Sequence, residues 1–245
     1  MDNFGDRMKD YENAYRVKLP KRMPVLIRID GKAFTNYTKG MKKPFDEDLT
    51  YAMWETCKYL AQNIMGCKLA YTQSDEISLL LTNYDKLTTE SWFDNNLQKL
   101  VSVSASLATA KFNEVMRMKY PEKKLALFDA RAWILPKDEV CNYFLWRQKD
   151  ATKNSISMVA QANFSHNQLQ GLNGGQLQDK LFLERGINWN ELPTWQKRGA
   201  CITKVYFEKN SALRSKWDVD LETPIFSQNR EYVEQYVYLK EYKGD

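Results

Sequence analysis

The sequence predicts an α+β fold whose core has the ferredoxin-like β-α-β-β-α-β order. Three observations support this fold class: β-branched or alternating runs that mark strands, apolar residues at spacings of three and four that mark helices, and the order of these segments along the chain. The 245 residues suffice for such a core and a substantial extension. We predict the core over residues 1–136 and an α+β extension over 137–245 that packs on it as one compact unit.

A strand and a helix are the first two predicted elements. Residues 24–29 (Pro-Val-Leu-Ile-Arg-Ile) form a β-branched run that ends at the turn pair Asp30-Gly31, which is typical of a buried strand followed by a turn. From Asp46 onward, apolar residues recur every three or four positions, which predicts a helix with one apolar face. Asp46 suits its N-cap, and Gly66 stands where it is expected to end.

The rest of the core is predicted as a hairpin, a helix and a fourth strand. Residues 68–81 alternate around a polar cluster at 73–76, which indicates two strands joined by a turn. Residues 93–118 return to helical spacing, with small residues that favour close packing on a sheet. Residues 125–135 alternate again and predict a strand.

The extension shows weaker patterns. A helix is expected from Asp138 to beyond Ser155, a loop over 171–175, and a strand over 200–207. Residues 206–245 are polar and aromatic without a clear pattern, so no element is predicted there.

Composition and charge exclude several classes of chemistry. The net charge of +5 and pI near 8.8 favour a polyanionic partner. The four cysteines form no C-x-x-C pair, and His166 is the only histidine, which argues against a zinc site and against Ser-His-Asp or Cys-His catalysis. The N-terminal residues lack an apolar leader and no stretch approaches the ~20 apolar residues of a membrane span, so a soluble, cytoplasmic protein is expected.

Two distant acidic positions are expected to meet at one edge of the predicted sheet. In the split βαβ order the third strand lies antiparallel to the first, so Asp30 at the end of the first strand lies beside Asp75-Glu76 at the start of the third. Neighbouring carboxylates repel each other unless a cation neutralises them. Magnesium takes one or two carboxylates plus substrate phosphates, and a pair of such ions serves phosphoryl chemistry.

The turn after Asp30 suits a nucleoside triphosphate. Gly31 allows the backbone to approach a ligand closely, and successive N–H groups through Thr35 are expected to cradle phosphates. Lys43 supplies a nearby positive charge. Separately, an Asp-Gly pair and an acidic hairpin are more often solvated turns, so the prediction rests on their combination.

The motifs resemble, in order and spacing, those of the histidine-tRNA guanylyltransferase superfamily, from about residue 4 to about residue 207. The matching segments are Arg28-Ile29-Asp30-Gly31-Lys32-Ala33-Phe34, Lys43-Pro44, Tyr71-Thr72-Gln73-Ser74-Asp75-Glu76, Trp146-Arg147-Gln148-Lys149-Asp150, Asn190-Glu191-Leu192-Pro193 and Lys197-Arg198-Gly199. The family has a polymerase-like palm fold, which agrees with the predicted core. The resemblance implies an enzyme that extends RNA in the 3′-to-5′ direction.

The resemblance also implies roles for particular residues. The expected ligands of two Mg²⁺ ions are Asp30, the Gly31 carbonyl and Asp75, with Glu76 as the family acid beside them. The expected triphosphate cradle comprises Gly31, Lys32, Ala33, Phe34, Thr35 and Ser74. Further contacts to nucleotide phosphates are expected from Lys43, Lys99 and Asn154.

The implied reaction has two steps. A 5′-monophosphate on tRNA is first activated with ATP or GTP, or a 5′-triphosphate is already active. The 3′-hydroxyl of an incoming NTP then attacks that end. The resemblance further implies a homotetramer.

One segment departs from the histidine-tRNA enzymes, which carry His-Ile-Asn-Asn where this chain has Thr152-Lys153-Asn154-Ser155. The departure resembles the guanylyltransferase-like branch and favours template-directed repair of 5′-truncated tRNA. Three alternatives stay open: addition of a single G at position −1, a palm-fold nucleotidyl cyclase, and a non-catalytic RNA-binding module. The basic and aromatic residues of the last third do not identify an RNA-binding surface.

Overall fold

A six-stranded antiparallel sheet organises residues 3–238, the part of the chain that the computed structural model describes. The strands are β1 (Val25–Gly31), β2 (Cys67–Gln73), β3 (Glu76–Leu81), β4 (Phe128–Ile134), β5 (Ala200–Lys209) and β6 (Ala212–Asp220). Their order across the sheet is β4-β1-β3-β2-β5-β6. β3 lies between β1 and β2, as the split βαβ order requires, so the predicted α+β fold with its ferredoxin-like core is confirmed.

Nine α-helices accompany the sheet within residues 3–238. They are α1 (Asn3–Asn13), α2 (Phe34–Tyr37), α3 (Glu47–Asn63), α4 (Leu97–Arg117), α5 (Lys137–Asn163), α6 (His166–Leu169), α7 (Gly174–Arg185), α8 (Thr194–Arg198) and α9 (Glu231–Glu234). Two short 3₁₀ turns cover Trp92–Asn95 and Trp189–Glu191. None of the helices in this part of the chain combines the length and the apolar character that a membrane crossing requires.

Each face of the sheet packs against a different set of helices because side chains alternate along every strand. One face, which includes Ile27 and Ile29 of β1, is covered by α3 and α4 and forms the larger apolar core. The other face, which includes Leu26, packs against α5 through buried aromatic residues such as Tyr143 and Phe144. Asp30 has the same parity as Leu26 and therefore lies on the α5 face.

α3 begins where the sequence predicts. The Asp46 carboxylate is buried and caps the helix by accepting a hydrogen bond from the Leu49 amide (2.9 Å). The same carboxylate accepts bonds from the Lys42 amide (3.1 Å) and the Tyr120 hydroxyl (3.1 Å). It therefore fixes the preceding loop as well as the helix start. The helix ends at Asn63, three residues before the predicted stop at Gly66.

The extension contributes two strands to the same sheet. β5 pairs with β2, and β6 pairs with β5. The sequence analysis missed β6 because the outer half of this ribbon, residues 204–216, is exposed on both faces and so lacks the alternation that burial imposes. The boundary between residues 136 and 137 stays a prediction, and residues 1–2 and 239–245 of the predicted ranges lie outside the described residues.

The predicted loop over residues 171–175 is partly wrong. Gly174 and Gly175 form the first turn of α7, whose N-cap Asn173 exchanges hydrogen bonds with Gln176. Glycine in a helix lowers the local propensity, but this capping box offsets that cost. The prediction of a loop relied on the glycine pair alone. The capping residues Asn173 and Gln176 on either side of the pair start a helix there instead.

We expect Asp46→Ala to lower the free energy of unfolding by about 1–2 kcal/mol, because the helix cap is lost. Burial raises the pKa of Asp46, but the backbone hydrogen bonds from Leu49 and Lys42 outweigh it and leave the pKa below its ordinary value of 3.8. The charged Asp46 carboxylate therefore contributes its full share of the free energy of unfolding at pH values above 3.8. This contribution disappears as the pH falls through the lowered pKa of Asp46 in the folded state. Urea unfolding between pH 3 and pH 7 measures it. Asp46→Asn, which keeps a capping oxygen, should lose less, and equal losses would contradict this account.

Candidate active site

The ends of β1 and β3 bring three acidic residues together at one edge of the sheet. Asp30 pairs in register with Glu76, and the Gly31 amide donates to the Asp75 carbonyl (3.2 Å). Burial is the largest cause of a raised pKa at Asp75, and the negative charge of Asp30 raises this pKa further. The Ser74 hydroxyl donates to the Asp75 carboxylate at 3.1 Å. The predicted meeting of the acids is therefore observed, and their repulsion is a reason for this edge to attract a cation.

Asp30 also has a carboxylate neighbour that the sequence analysis missed. Asp129 of β4 lies opposite Asp30 in the register, so the two residues lie on the same face. Its side chain is exposed and lies 3.5 Å from the Arg131 guanidinium. The signal was available, because β4 borders β1 in the split βαβ order and Asp129 lies within the strand predicted over 125–135.

Glu76 has a structural partner that the sequence did not reveal. Its two carboxylate oxygens accept hydrogen bonds from Arg147 of α5, from Nε at 2.6 Å and from one terminal nitrogen at 2.7 Å. Both side chains are buried, and the same nitrogen of Arg147 also reaches Asp150 at 3.0 Å. This bidentate pair ties α5 to the start of β3 and leaves neither oxygen of Glu76 unpaired. The predicted catalytic role of Glu76 is untested.

The donors at this edge suit magnesium. No group of three or more His, Cys, Asp or Glu side chains that could hold a metal occurs within residues 3–238. Magnesium nonetheless needs only one or two carboxylates and completes its shell with water, carbonyl and phosphate oxygens. Asp30 and Asp75, with the backbone carbonyl of Gly31, fit that requirement, whereas their oxygen-only chemistry does not suit zinc in a structural site. The assignment of these ligands stays a prediction.

The turn after Asp30 differs in part from the predicted phosphate cradle. The Gly31 amide donates to the Asp75 carbonyl, and the Lys32 amide donates to the Leu127 carbonyl at 2.8 Å. The amides of Ala33, Phe34 and Thr35 have no acceptor among the described residues, so three of the five remain available to a ligand.

The side chain of Phe34 is not available to a ligand. It is buried beneath the turn, with its ring 5.1 Å from that of Phe128 and 5.5 Å from that of Phe112. A Cβ on Gly31 would lie 2.2 Å from the Phe34 ring, so a glycine is required at position 31. Ala33 adopts the left-handed conformation, with φ 56°, between these two residues.

A cavity of about 230 Å³ opens beside the acidic edge. It lies between α3, α5 and α8, and Lys43, Ser74 and Asn154 line it together although they come from three distant segments. Because Ser74 also contacts Asp75, the cavity adjoins the carboxylates. Three of the predicted nucleotide-binding residues therefore meet at one place.

Three aromatic residues contribute to the lining of this cavity. Trp195 packs edge-to-face against Phe45 and Trp54, with ring centroids 5.8 Å and 5.7 Å away. Met158 of α5 and Met53 of α3 add apolar surface. A flat base fits these aromatic and apolar side chains, while Lys43 and the polar lining residues suit phosphate groups.

The loop that carries Lys43 is held in place from two sides. The Lys123 ammonium donates to the carbonyls of Tyr37 (2.7 Å) and Lys39 (3.2 Å), and Asp46 accepts from the Lys42 amide. These bonds fix the backbone before any ligand binds. The cavity is therefore preformed, which lowers the entropic cost of binding.

Lys99 lies away from the other predicted residues. It stands in the first turn of α4, which is anchored to the chain before β1 by the bond from the Leu19 amide to the Asn95 carbonyl (2.9 Å). Thr109, ten residues further along α4, accepts a bond from Phe128, the strand partner of Gly31. Ten helical residues span about 15 Å, so Lys99 is distant from the acidic edge of the same chain. Its predicted nucleotide contact has no support from this geometry.

Comparison with known proteins identifies relatives over most of the chain. The family model described as Thg1, tRNAHis guanylyltransferase, matches residues 5–136. The tRNA(His) guanylyltransferase of Schizosaccharomyces pombe is 30% identical over 79% of this chain and 77% of its own length. A bacterial tRNA(His) guanylyltransferase (Thg1)-like protein in complex with ATP is 70% identical, with a TM-score of 0.91, over 97% of this chain and 100% of that chain. A second such bacterial structure, in complex with GTP, is 66% identical, with a TM-score of 0.84 and the same coverage.

We expect Arg147→Ala to lower the free energy of unfolding by about 3–5 kcal/mol, because Glu76 would be buried without its counter-charge. The double variant Glu76→Gln/Arg147→Met removes both charges and should lose less stability. Chemical denaturation of the two proteins measures the difference. A double variant that is no more stable than Arg147→Ala would show that the ion pair itself, rather than the unpaired charge, determines the loss.

Proposed function

Because the chain belongs to the Thg1 tRNAHis guanylyltransferase family of nucleotidyltransferases, we propose that it adds nucleotides to the 5′ end of tRNA in the 3′-to-5′ direction. The observation that carries this proposal is the position of Asp30 and Asp75 at neighbouring strand ends, beside a cavity lined by Lys43, Ser74 and Asn154. Carboxylates next to a cationic, base-sized cavity are the parts that phosphoryl transfer needs.

Asp30, Asp75 and the Gly31 carbonyl would hold two magnesium ions. Such ions lower the pKa of an attacking hydroxyl and offset the charge that develops on the phosphate. Glu76 acts through Arg147: their buried ion pair positions the start of β3 and hence the Asp75 carboxylate next to it. Asp129, opposite Asp30, adds negative charge on the same face.

A purine nucleotide would occupy the cavity with its base against Trp195 and Met158 and its phosphates toward Lys43, Ser74 and Asn154. The bacterial relatives that were solved with ATP and with GTP support both purines as substrates. The free amides of Ala33, Phe34 and Thr35 face the phosphates as additional donors in this proposal. Lys99 would contact the nucleotide phosphates only from another copy of the chain.

The reaction proceeds by two displacements at phosphorus. An oxygen of the tRNA 5′-monophosphate attacks the α-phosphorus of ATP or GTP, and pyrophosphate leaves. The 3′-hydroxyl oxygen of an incoming NTP then attacks the tRNA 5′-phosphorus, loses its proton, and the nucleoside monophosphate leaves. On a tRNA with a 5′-triphosphate, the second displacement occurs directly and releases pyrophosphate. The fixed protein groups hold the reacting atoms in line, which removes much of the entropic barrier.

The biological role that we propose is template-directed repair of 5′-truncated tRNA. The segment Thr152-Lys153-Asn154-Ser155 supports this role, because it lacks the histidine that the resemblance associates with selection of histidine tRNA. The family description favours the runner-up, which is addition of one G at position −1. A cytoplasmic location and a homotetramer complete the proposal.

We expect Asp75→Asn to lower the rate of 5′ extension at least about 100-fold, because a metal ligand and its charge are lost. The assay combines the protein, Mg²⁺, ATP, GTP and a labelled tRNA that lacks its first nucleotide. The same variant should bind tRNA as the wild type does and should unfold at a higher temperature, because it removes the cost of charging a partly buried acid beside Asp30. Asp179→Asn, an exposed change on α7, is the matched control. Extension that survives Asp75→Asn would refute the proposed metal site.

Template-directed repair predicts that the anticodon does not matter. Truncated tRNAs with different anticodons should be extended at rates within a few-fold of one another, and the added nucleotide should follow the opposing base of the acceptor stem. Single-turnover rates on three such tRNAs measure this. Extension restricted to the histidine anticodon, or a G added regardless of the opposing base, would favour the −1 addition instead.

A further inference from the structure

The hydroxyl of Tyr71 forms a buried hydrogen bond that joins β2 to the end of α8. Tyr71 is fully buried on the α5 face of the sheet, with its ring packed edge-to-face against those of Phe226 (5.8 Å) and Phe144 (6.4 Å). Its hydroxyl donates to the Arg198 carbonyl at 2.6 Å. Burial raises the pKa of this phenol well above its ordinary value of 10.0, so the hydroxyl keeps its proton and remains a donor.

The chain approaches Tyr71 closely where α8 ends. A Cβ on Gly199 would lie 2.7 Å from the Tyr71 hydroxyl oxygen and 2.6 Å from the Thr72 carbonyl oxygen. Gly199 also has φ 75°, a left-handed conformation that favours glycine. Both the space and the backbone conformation therefore require glycine here, and the missing side chain lets the end of α8 rest directly on β2.

α8 depends on such outside contacts for its position. It has only five residues, and its N-cap Pro193 provides no side-chain hydrogen bond. A helix of this length is not stable alone, and its last carbonyl groups have no partner inside the helix. Tyr71 supplies the partner for the carbonyl of Arg198. Nearer the surface, the Lys197 ammonium donates to the Asn190 carbonyl at 2.6 Å. Tyr71 is therefore the buried anchor of α8.

α8 also contributes to the cavity beside the acidic edge. Trp195 and Gln196 of α8, and Gly199 directly after it, line that cavity. The Trp195 ring packs against that of Phe45, which follows Lys43 in the opposite loop of the lining. A displacement of α8 would therefore move the aromatic surface on which the proposed base packs.

We propose that Tyr71 is a positioning residue for nucleotide binding, because its hydroxyl holds α8 so that Trp195 presents a fixed surface to the purine base. Tyr71 itself does not line the cavity and acts only through α8. The chain continues from β2 directly to Ser74 and Asp75, so the same strand leads to the acidic edge. The inference rests on the proposed function for the identity of the ligand.

Tyr71→Phe removes only the hydroxyl, and Tyr143→Phe is its matched control. Tyr143 is buried in the same apolar cluster, but its hydroxyl is hydrogen-bonded to Ser78 of β3 at 2.7 Å and not to α8. Both variants keep every carbon atom of the side chain and should fold. Both should lose similar stability, because each leaves a buried polar group without its partner.

Nucleotide binding separates the two variants. Calorimetric titration with ATP and Mg²⁺, without tRNA, gives Kd, and steady-state 5′ extension gives KM for ATP and kcat. In Tyr71→Phe, Kd and KM should rise about fivefold while kcat stays within about twofold, because the base surface is less well fixed but the acids are unchanged. In Tyr143→Phe all three should stay within about twofold of the wild type. Hydrogen exchange of the amides over 194–199 should accelerate only in Tyr71→Phe.

Three outcomes would overturn the inference. The first is an unchanged Kd for ATP in Tyr71→Phe. The second is an equal rise in Tyr143→Phe, which would trace the effect to the apolar cluster in general. The third is a lower kcat with unchanged Kd and KM. A wild type that binds ATP but does not extend tRNA, together with weaker ATP binding in Tyr71→Phe alone, would refute the proposed function and support the positioning role.

Discussion

The antiparallel register between β1 and β3 is the constraint on which the candidate site depends. Asp30 opposes Glu76, and the Gly31 amide bonds to the Asp75 carbonyl, so the acids occupy fixed positions at the edge of the sheet. A shift of one residue would move the Asp30 side chain to the face covered by α3 and α4. The buried apolar residues Ile27 and Ile29 prevent that shift, because it would transfer them to the opposite face. Core burial thus specifies the geometry of the polar edge.

α5 contacts both parts of the candidate site. Arg147 joins the helix to Glu76 at the acidic edge, and Asn154 and Ser155 line the cavity. Arg147 and Asn154 are seven residues apart and therefore lie on the same face of the helix, because successive helical residues are rotated by about 100°. A single rigid helix therefore sets the distance between the acids and the proposed nucleotide.

The core of the fold and its acidic edge could be predicted from the sequence because both depend on local periodicity and on the few topologies that the element order allows. Asp30 and Asp75 followed from that order alone. The Glu76–Arg147 pair did not, since nothing in the spacing of two residues 71 positions apart indicates a contact. β6 was missed because its exposed outer half carries no burial pattern. The nucleotide contact of Lys99 stays a prediction, since Lys99 stands in the first turn of α4, away from the acidic edge of the same chain.

The ring of Phe34 beneath Gly31 makes the hydrophobic interior a part of the geometry of the candidate site. The ring packs on Phe112 of α4 and Phe128 of β4, and it leaves no space for a side chain directly after the first acid. The packing of the Phe34 ring thus restricts position 31 to glycine, whether or not a ligand is bound. Efforts to broaden nucleotide choice would have to treat residues 31, 34, 112 and 128 as one packing unit, because enlarging one of them displaces the strand end that presents the carboxylate.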